Sequence, residues 1–206
     1  GWVQLMLAAL QRDDDEYLDI LDEYDRGRDL DRGDRPADLF TEAFGELQAL
    51  MSETDLDILG MAYVEFGLAE QDDGQHFTPH NLASRIAEMA TVDGAPDPPV
   101  TIADPACGSG RLLVLAARQH DVPVICFGED KDPLCAQMAA LNFCFFGING
   151  VVMCGDTLTM EHRRAWETHG TILGGEVREV DPDDVAWPEA AFEDAATDAG
   201  EAESED

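Results

Sequence analysis

Basic residues are scarce in this 206-residue sequence, and only one of them is a lysine, Lys131. Twelve Lys and Arg side chains stand against 45 Asp and Glu, which gives a formal net charge of −33. Like charges at this density repel one another at low ionic strength, whereas at about 1 M salt the screening length is only about 3 Å. The composition therefore favours a salt-rich cytoplasm, as in halophilic archaea. The alternative is an acidic protein that mimics DNA, which would need its carboxylates in a row on one face.

Cysteine pairs and long apolar runs are also missing. The number of cysteines is odd and no CxxC pair exists, so we expect buried thiols rather than disulfides or zinc, and no metal site. No window reaches the roughly 18 apolar residues of a membrane span, and no signal-peptide pattern opens the chain. We therefore expect a cytoplasmic protein without membrane contact. The cysteines are Cys107, Cys126, Cys135, Cys144 and Cys154.

Helical spacing of apolar side chains dominates the first third of the chain. The pattern predicts helices over 1–24 and 37–70, separated by a charged break at 25–36. Ser52 and Thr54 are candidates to cap a second piece of the later helix. The apolar stripes are interpreted as core packing. A further helix is expected to open at the Thr-Pro pair that follows the polar loop QDDGQ.

The pattern changes after a proline-rich connector. Short β-rich runs at 100–104, 122–128 and 150–155 alternate with helical segments at 111–119 and 132–147. This βαβαβ succession predicts parallel strands joined by right-handed crossovers. Beyond about residue 180 the acidic composition predicts a disordered tail.

A glycine-rich turn follows the first predicted strand in the sequence DPACGSG. Gly108 and Gly110 would allow a ligand to approach the backbone, and the next helix offers free N–H groups. The turn is not a P-loop, because Arg111 follows it instead of Lys-Ser/Thr. Asp130 comes 20 residues after Gly110, where an acid can accept the ribose hydroxyls of a nucleoside. Asp104 suits a ligand with cationic groups better than a pyrophosphate.

Four segments in a fixed order give these features a family resemblance. DPACGSGRLL resembles the cofactor motif of N6-adenine DNA methyltransferases, especially the modification subunits of type I restriction systems. Upstream, GQHFTP is similar to that family's GQ(F/Y)FTP motif, and GEDKDPLCAQMAALNFCFFGI and GDTL resemble its second and third segments. The resemblance implies an α/β, Rossmann-like S-adenosylmethionine-dependent methyltransferase sheet, here partial, behind a helical N-terminal region. It divides the chain into 1–74, a methyltransferase domain at 75–180 and an acidic tail at 181–206.

The resemblance also assigns roles in binding S-adenosylmethionine. Phe77 would pack on the cofactor. Thr78, with the start of its helix, would bind the carboxylate of the methionine part. Asp130 would take the ribose hydroxyls, Asp156 would lie near the adenine, and Lys131 would flank the ring where the family often has an apolar residue. For Asp156 and Asp132, capping of the following segment is the alternative. Asp104, Ala106 and Gly108 would line the methionine end of the cofactor, and Gly110 would complete the glycine turn.

The family's target-base motif, (Asn/Asp/Ser)-Pro-Pro-(Tyr/Phe/Trp), does not follow Asp156, and no catalytic residue is identified. The only Pro-Pro pair, Pro98-Pro99, precedes the first motif. Two hypotheses stay open: an incomplete or split adenine-N6 DNA methyltransferase acting on duplex DNA with other restriction-modification subunits, and a non-catalytic cofactor-binding remnant that binds a partner. A methyltransferase for RNA or protein is a third, but it would not usually carry GQxFTP. We expect no further strands after the third.

Overall fold

Five strands form one sheet in which each strand pairs with its neighbour in sequence. Strands β1 (Val100–Asp104), β2 (Val124–Asp130) and β3 (Gly150–Asp156) are parallel. Strands β4 (Glu161–Thr171) and β5 (Gly174–Val180) continue the sheet as an antiparallel hairpin beyond β3. The computed structural model describes residues 1–24, 29–67, 78–90, 99–171, 174–186 and 188.

Seven helices accompany the sheet within these described ranges. Helices α6 and α7 provide the two crossovers between the parallel strands, as the βαβαβ pattern predicts. The α/β fold expected from the sequence is confirmed. The helices are α1 (Trp2–Gln11), α2 (Asp14–Glu23), α3 (Pro36–Thr54), α4 (Ile58–Glu65), α5 (His80–Ala90), α6 (Arg111–Ala117) and α7 (Pro133–Phe146).

The first predicted helix is in fact two. Arg12 ends α1 in a left-handed conformation with φ of 58°. The Asp13 side chain then caps α2 by accepting a hydrogen bond from Glu16 N at 2.9 Å. The run of acidic residues that interrupts the apolar stripe is therefore a helix start.

The second helical region is also divided, but neither predicted cap residue divides it. Ser52 and Thr54 both lie inside α3. Asp57 caps α4 instead, because its Oδ1 accepts a hydrogen bond from Gly60 N at 2.8 Å. The expected helix over 66–70 is not tested as a whole, since 68–70 lie outside the described residues.

The β4–β5 hairpin corrects the expectation that no strand follows β3. Its sequence is rich in charged residues, and so it lacks the apolar alternation of an ordinary strand. Arg164 supplies the explanation, since its guanidinium lies 5.1 Å from the centre of the Trp166 ring and bonds Glu179 on β5. Trp166 itself is fully buried. Paired charges thus cover the buried Trp166, and they conceal the strand pattern in the sequence.

One hydrophobic core joins the N-terminal helices to the sheet. Met6 on α1 and Leu59 on α4 belong to the same buried cluster as Phe143 on α7 and Trp166 on β4. Helix α1 packs against both α7 and β5. The boundary predicted at residue 74 therefore separates segments that share a core, and the division into 1–74, 75–180 and 181–206 remains a prediction.

All five cysteines are free and buried, as expected from their spacing. No described helix has the length and apolar character needed to cross a membrane. Past β5, Pro182–Asp184 form a short 3-10 turn. The predicted loop at 71–75, most of the proline-rich connector at 91–99 and most of the acidic tail lie outside the described residues.

Candidate cofactor-binding site

The glycine turn between β1 and α6 forms the floor of the candidate site. Gly108 and Gly110 have left-handed backbones with φ of 55° and 75°, which glycine adopts without steric cost. Gly110 caps α6, and a Cβ there would lie 3.1 Å from Phe143 on α7. Gly110 therefore serves both the turn and the close packing of α6 on α7.

Asp130, the last residue of β2, faces this turn. Its Oδ2 accepts a hydrogen bond from Gly108 N at 2.8 Å, and its Oδ1 accepts one from Asp132 N at 2.9 Å. Because β1 and β2 are parallel neighbours, both strand ends lie at the edge where open α/β sheets bind ligands. Each carboxylate oxygen has a further lone pair, so Asp130 can still accept two ligand hydroxyl groups.

The glycine turn follows β1, and the segment 130–132 forms a second turn at the end of β2. A third turn, after β3, completes the enclosure of the site. Asp156 ends β3, and its Oδ1 accepts a hydrogen bond from Leu158 N at 2.9 Å. Thr157 Oγ1 donates to Pro105 O at 2.9 Å and so ties this turn to the glycine turn. Asp156 thus makes the local turn contact of the capping alternative and also lines the site. Thr157 was not singled out from the sequence, because nothing local reveals a bond to a residue 52 positions away.

The three turns surround a cleft of about 430 Å³. This volume lies within the range of about 300–1,000 Å³ that is usual for small-molecule sites. Gly110 belongs to the turn but does not line the cleft, and Phe77 lies outside the described residues. The predicted site residues that line the cleft are Thr78, Asp104, Ala106, Gly108, Asp130 and Asp156.

The cleft is negatively charged and partly shielded from water. Burial raises the pKa of Asp104 and of Asp130 above the usual value for an aspartate. For Asp130 the backbone donors Asp132 N and Gly108 N act against this rise. A cationic ligand would favour the ionised carboxylates. Within the described residues, no group of three or more His, Cys, Asp or Glu is arranged to hold a metal ion.

Two neighbours of Asp130 have structural contacts. The Lys131 side chain is exposed at the cleft, and its carbonyl accepts a hydrogen bond from Arg163 Nη2. Asp132 caps α7, with Oδ1 accepting from Leu134 N at 2.8 Å, and its Oδ2 accepts from Tyr63 Oη at 2.9 Å. The capping alternative therefore describes Asp132.

Two cysteines also border the cleft. Burial raises the pKa of the Cys107 and Cys135 thiols. Thiols with raised pKa values stay protonated and are poor nucleophiles. They therefore contribute apolar surface to the cleft rather than chemistry.

Beneath the glycine turn lies a buried ion pair between Asp57 and Arg111, with Oδ2 and Nη2 3.1 Å apart. Sequence reasoning treated Arg111 only as evidence against a P-loop and did not single out Asp57. The available signal was the position of Arg111 as the first residue of an otherwise apolar helix. Such an arginine requires either solvent or a buried acid.

Comparison with known protein families identifies the family in which this arrangement of residues occurs. A model of the N-6 DNA methylase family matches residues 54–174, just over half of the chain. The chain belongs to the N-6 DNA methylase family. The matched segment includes α4 and Asp57 as well as the glycine turn, Asp130 and Asp156. Helix α4 is thus within the family segment, although it precedes every motif recognised in the sequence.

This N-6 DNA methylase family member is similar to methylase subunits of type I restriction enzymes from Methanocaldococcus jannaschii. It is 32% identical to the MjaVIII methylase subunit over 120 residues, which cover 54% of the chain and 20% of that subunit. It is 29% identical to the MjaIX methylase subunit over 90 residues, which cover 41% of the chain and 15% of that subunit. The chain thus matches about a fifth or less of the length of these relatives.

A larger groove of about 860 Å³ lies elsewhere on the sheet. Its lining includes Pro99, Pro123 and Asn149, which precede the three parallel strands. Size alone would favour this groove as a ligand site. The glycine turn and the strand-end carboxylates surround the smaller cleft, and the chemistry therefore favours the smaller cleft.

Proposed function

We propose that this chain forms the S-adenosylmethionine-binding part of an adenine-N6 DNA methyltransferase of a restriction-modification system. The observation that carries the proposal is the hydrogen bond from Gly108 N to Asp130 Oδ2, which joins the glycine turn to the acid at the end of β2. An acid at this place accepts the ribose hydroxyls of a nucleoside cofactor. Family membership and the similarity to type I methylase subunits support the same assignment.

The cleft fits this cofactor in charge and in size. Asp130 would accept the ribose hydroxyls, while Asp104 would face the cationic methionine end. Thr78, just before α5, would bind the methionine carboxylate, and Asp156 would lie near the adenine ring. When bound, the cofactor supplies the methyl group. The packing of Phe77 on the cofactor remains a prediction.

The target base requires groups that the resemblance does not locate in this sequence. In the family, a polar side chain and an aromatic ring of the (Asn/Asp/Ser)-Pro-Pro-(Tyr/Phe/Trp) motif hold and stack the flipped adenine. They aim its amine at the methyl group. We infer that further polypeptide, either a continuation of this protein or another restriction-modification subunit, supplies this motif and the contacts to duplex DNA.

A second candidate is a cofactor-binding module that no longer methylates and instead binds a partner chain. The observation that favours it is the exposure of apolar side chains on α4 and α5. Met61, Val64, Leu82 and Met89 are each between 45% and 85% exposed. Where such side chains form one continuous patch, the patch often marks a protein interface.

A methyl-transfer assay separates the two candidates. In molar KCl the chain alone is expected to bind S-adenosylmethionine weakly by calorimetry and to transfer no labelled methyl groups to duplex DNA. Adding a polypeptide that carries the target-base motif is expected to restore transfer to adenine, because the amine is then positioned. Transfer by the purified chain alone would contradict the inferred division of labour. Binding without transfer in the presence of that polypeptide would favour the partner-binding module.

Binding of the cofactor is expected to depend on pH through Asp104 and Asp130. Their raised pKa values mean that acid protonates them more readily than ordinary aspartates. A protonated carboxyl loses acceptor capacity and charge, so affinity should be highest above the raised pKa and fall as the pH drops through it. Calorimetry across mildly acidic pH, in buffers of different ionisation enthalpy, should show protons released on binding. Affinity that stays constant over that range would contradict this role.

We also infer that the protein works in a salt-rich cytoplasm. Exposed carboxylates lie on α2, α3, α4, α5, β4 and β5, rather than on a single element. This spread supports salt adaptation over mimicry of a phosphate row. Examples from different elements are Asp15, Glu46, Glu65, Glu88 and Glu176.

A further inference from the structure

A buried polar cluster lies directly beneath the glycine turn. Asp57 is only 4% exposed, and its Oδ2 accepts hydrogen bonds from Ser109 Oγ at 2.5 Å and from Arg111 Nε at 3.1 Å. Its Oδ1 accepts a hydrogen bond from Asn142 Nδ2 at 2.8 Å. The same Asn142 nitrogen donates to Ser109 O at 2.8 Å. One carboxylate before α4 is thus bonded to the glycine turn, to α6 and to α7.

Gly60 makes this arrangement possible. A Cβ at Gly60 would be too close to Asp57 Oδ2 and Ser109 Oγ for either atom to stay in place. Helix α4 can therefore approach the glycine turn only because position 60 carries no side chain. The absence of a side chain at Gly60 thus lets α4 pack directly against the polar cluster.

Arg111 extends the cluster to the cleft. While its Nε and Nη2 face Asp57, its Nη1 donates to Thr78 O at 2.7 Å. The planar guanidinium fixes these directions relative to one another. Thr78 lines the cleft just before α5. The position of Thr78 is therefore tied through one rigid group to Asp57, although the two residues are far apart in sequence.

Helix α4 has a second bond to the cleft. Tyr63 is buried, and its hydroxyl donates to Asp132 Oδ2 at 2.9 Å. The backbone N–H of Asp132 in turn donates to Asp130 Oδ1. Helix α4 and its cap thus reach both the glycine turn and the segment 130–132 at the end of β2.

Stability alone does not explain a buried charged pair. Removing two charges from water is costly, and replacing such a pair by well-packed hydrophobic groups of similar volume often leaves stability unchanged or increases it. The bond from Arg111 to Thr78 O gives the pair a further effect, because it holds one wall of the cleft. A group that fixes ligand contacts in advance reduces the ordering that binding requires.

We propose that Asp57 and Arg111 are positioning residues for the cofactor cleft, through which α4 holds Thr78 and the glycine turn in their binding geometry. The inference rests on the proposed binding of S-adenosylmethionine. It makes the N-terminal helices part of the cofactor site, rather than a separate attachment. In this proposal both residues act through Thr78 and the glycine turn, although Arg111, unlike Asp57, also borders the cleft.

The test compares cofactor affinity with stability in the whole chain, using calorimetry and thermal melts in molar KCl. The single variants Asp57→Asn and Arg111→Met should have lower cofactor affinity and a lower melting midpoint, since each leaves a buried polar partner unsatisfied. The double variant Asp57→Asn/Arg111→Met should regain stability. Its affinity should stay about tenfold or more below that of the unchanged chain, because Thr78 O still lacks its donor.

Arg111→Lys gives a second test that does not depend on the double variant. Lysine keeps the charge beside Asp57 but cannot hold Thr78 O with the same fork, so affinity should fall more than the melting midpoint. The matched control is Asp55→Asn/Arg118→Met. It removes an exposed pair, 2.6 Å apart, that also links the N-terminal helices to the α6 region, and it should leave affinity unchanged.

The outcomes separate this inference from the function on which it rests. Unchanged affinity in the double variant or in Arg111→Lys would overturn the positioning role, while the proposed function would stand. Failure of the unchanged chain to bind S-adenosylmethionine would overturn the proposed function, and the positioning role with it. A loss of affinity equal in the control and in the double variant would also overturn the inference.

Discussion

Replacing Asp130 with alanine is expected to abolish measurable binding of S-adenosylmethionine. The variant loses the proposed acceptors of both ribose hydroxyls. Each hydrogen bond to a charged group contributes about 1.5–3 kcal/mol, so two such bonds correspond to a loss of about a hundredfold or more in affinity. The variant also removes the carboxylate that accepts hydrogen bonds from the backbone N–H groups of Gly108 and Asp132. The measurement is titration calorimetry in molar KCl.

Asp181→Ala is the matched control for this prediction. Asp181 is also an aspartate whose carboxylate accepts a backbone N–H two residues ahead, from Asp183 at 3.0 Å. It is exposed and does not line the cleft. Its replacement should therefore leave binding intact. Near-normal affinity in a folded Asp130→Ala variant would show that the cofactor, if bound, lies elsewhere.

The melting midpoint is expected to rise steadily as KCl is raised from about 0.1 M to about 3 M. The net charge of −33 destabilises the folded chain through self-repulsion. The screening length falls from about 10 Å at 0.1 M to about 3 Å at 1 M salt, so the repulsion between surface carboxylates falls with it. Thermal melts followed by circular dichroism would measure the effect.

A charge-reduced variant tests the cause of the salt effect. Helix α3 carries the exposed acids Glu42, Glu46 and Glu53 beyond its first turn, where they do not stabilise the helix N-terminus. Changing these three residues to glutamine should raise the midpoint at low salt and flatten its rise with KCl. A midpoint that is flat or falls with salt in the unchanged chain would argue against salt adaptation and favour the DNA-mimic alternative.

The sequence predicted the central βαβαβ unit well, for physical reasons. Strands β1 to β3 are parallel. Parallel strands typically have short apolar sequences, and glycine and proline mark the turns between them. Asp130 was predicted as the ribose acid from its distance to the glycine turn, and the structure places the two beside each other. The binding role of Asp130 itself remains a prediction.

Features that depend on distant contacts were missed. The β4–β5 hairpin was hidden because Arg164 covers Trp166 and pairs with Glu179, and charged residues conceal the strand pattern. The role of Asp57 was hidden because its partner Arg111 lies 54 positions away. Local spacing predicts helices and strands, but it carries no information on which polar side chains meet in the core.

The strand order has a consequence for how the chain folds. Each strand pairs with its predecessor in sequence, so the sheet can assemble from β1 to β5 in the order in which the chain is synthesised. Helix α1 is different, since it packs on α7 and on β5. Helix α1 must therefore wait for β5 before its apolar face is buried. A helix that is made before the sheet thus completes its packing only after the sheet has formed.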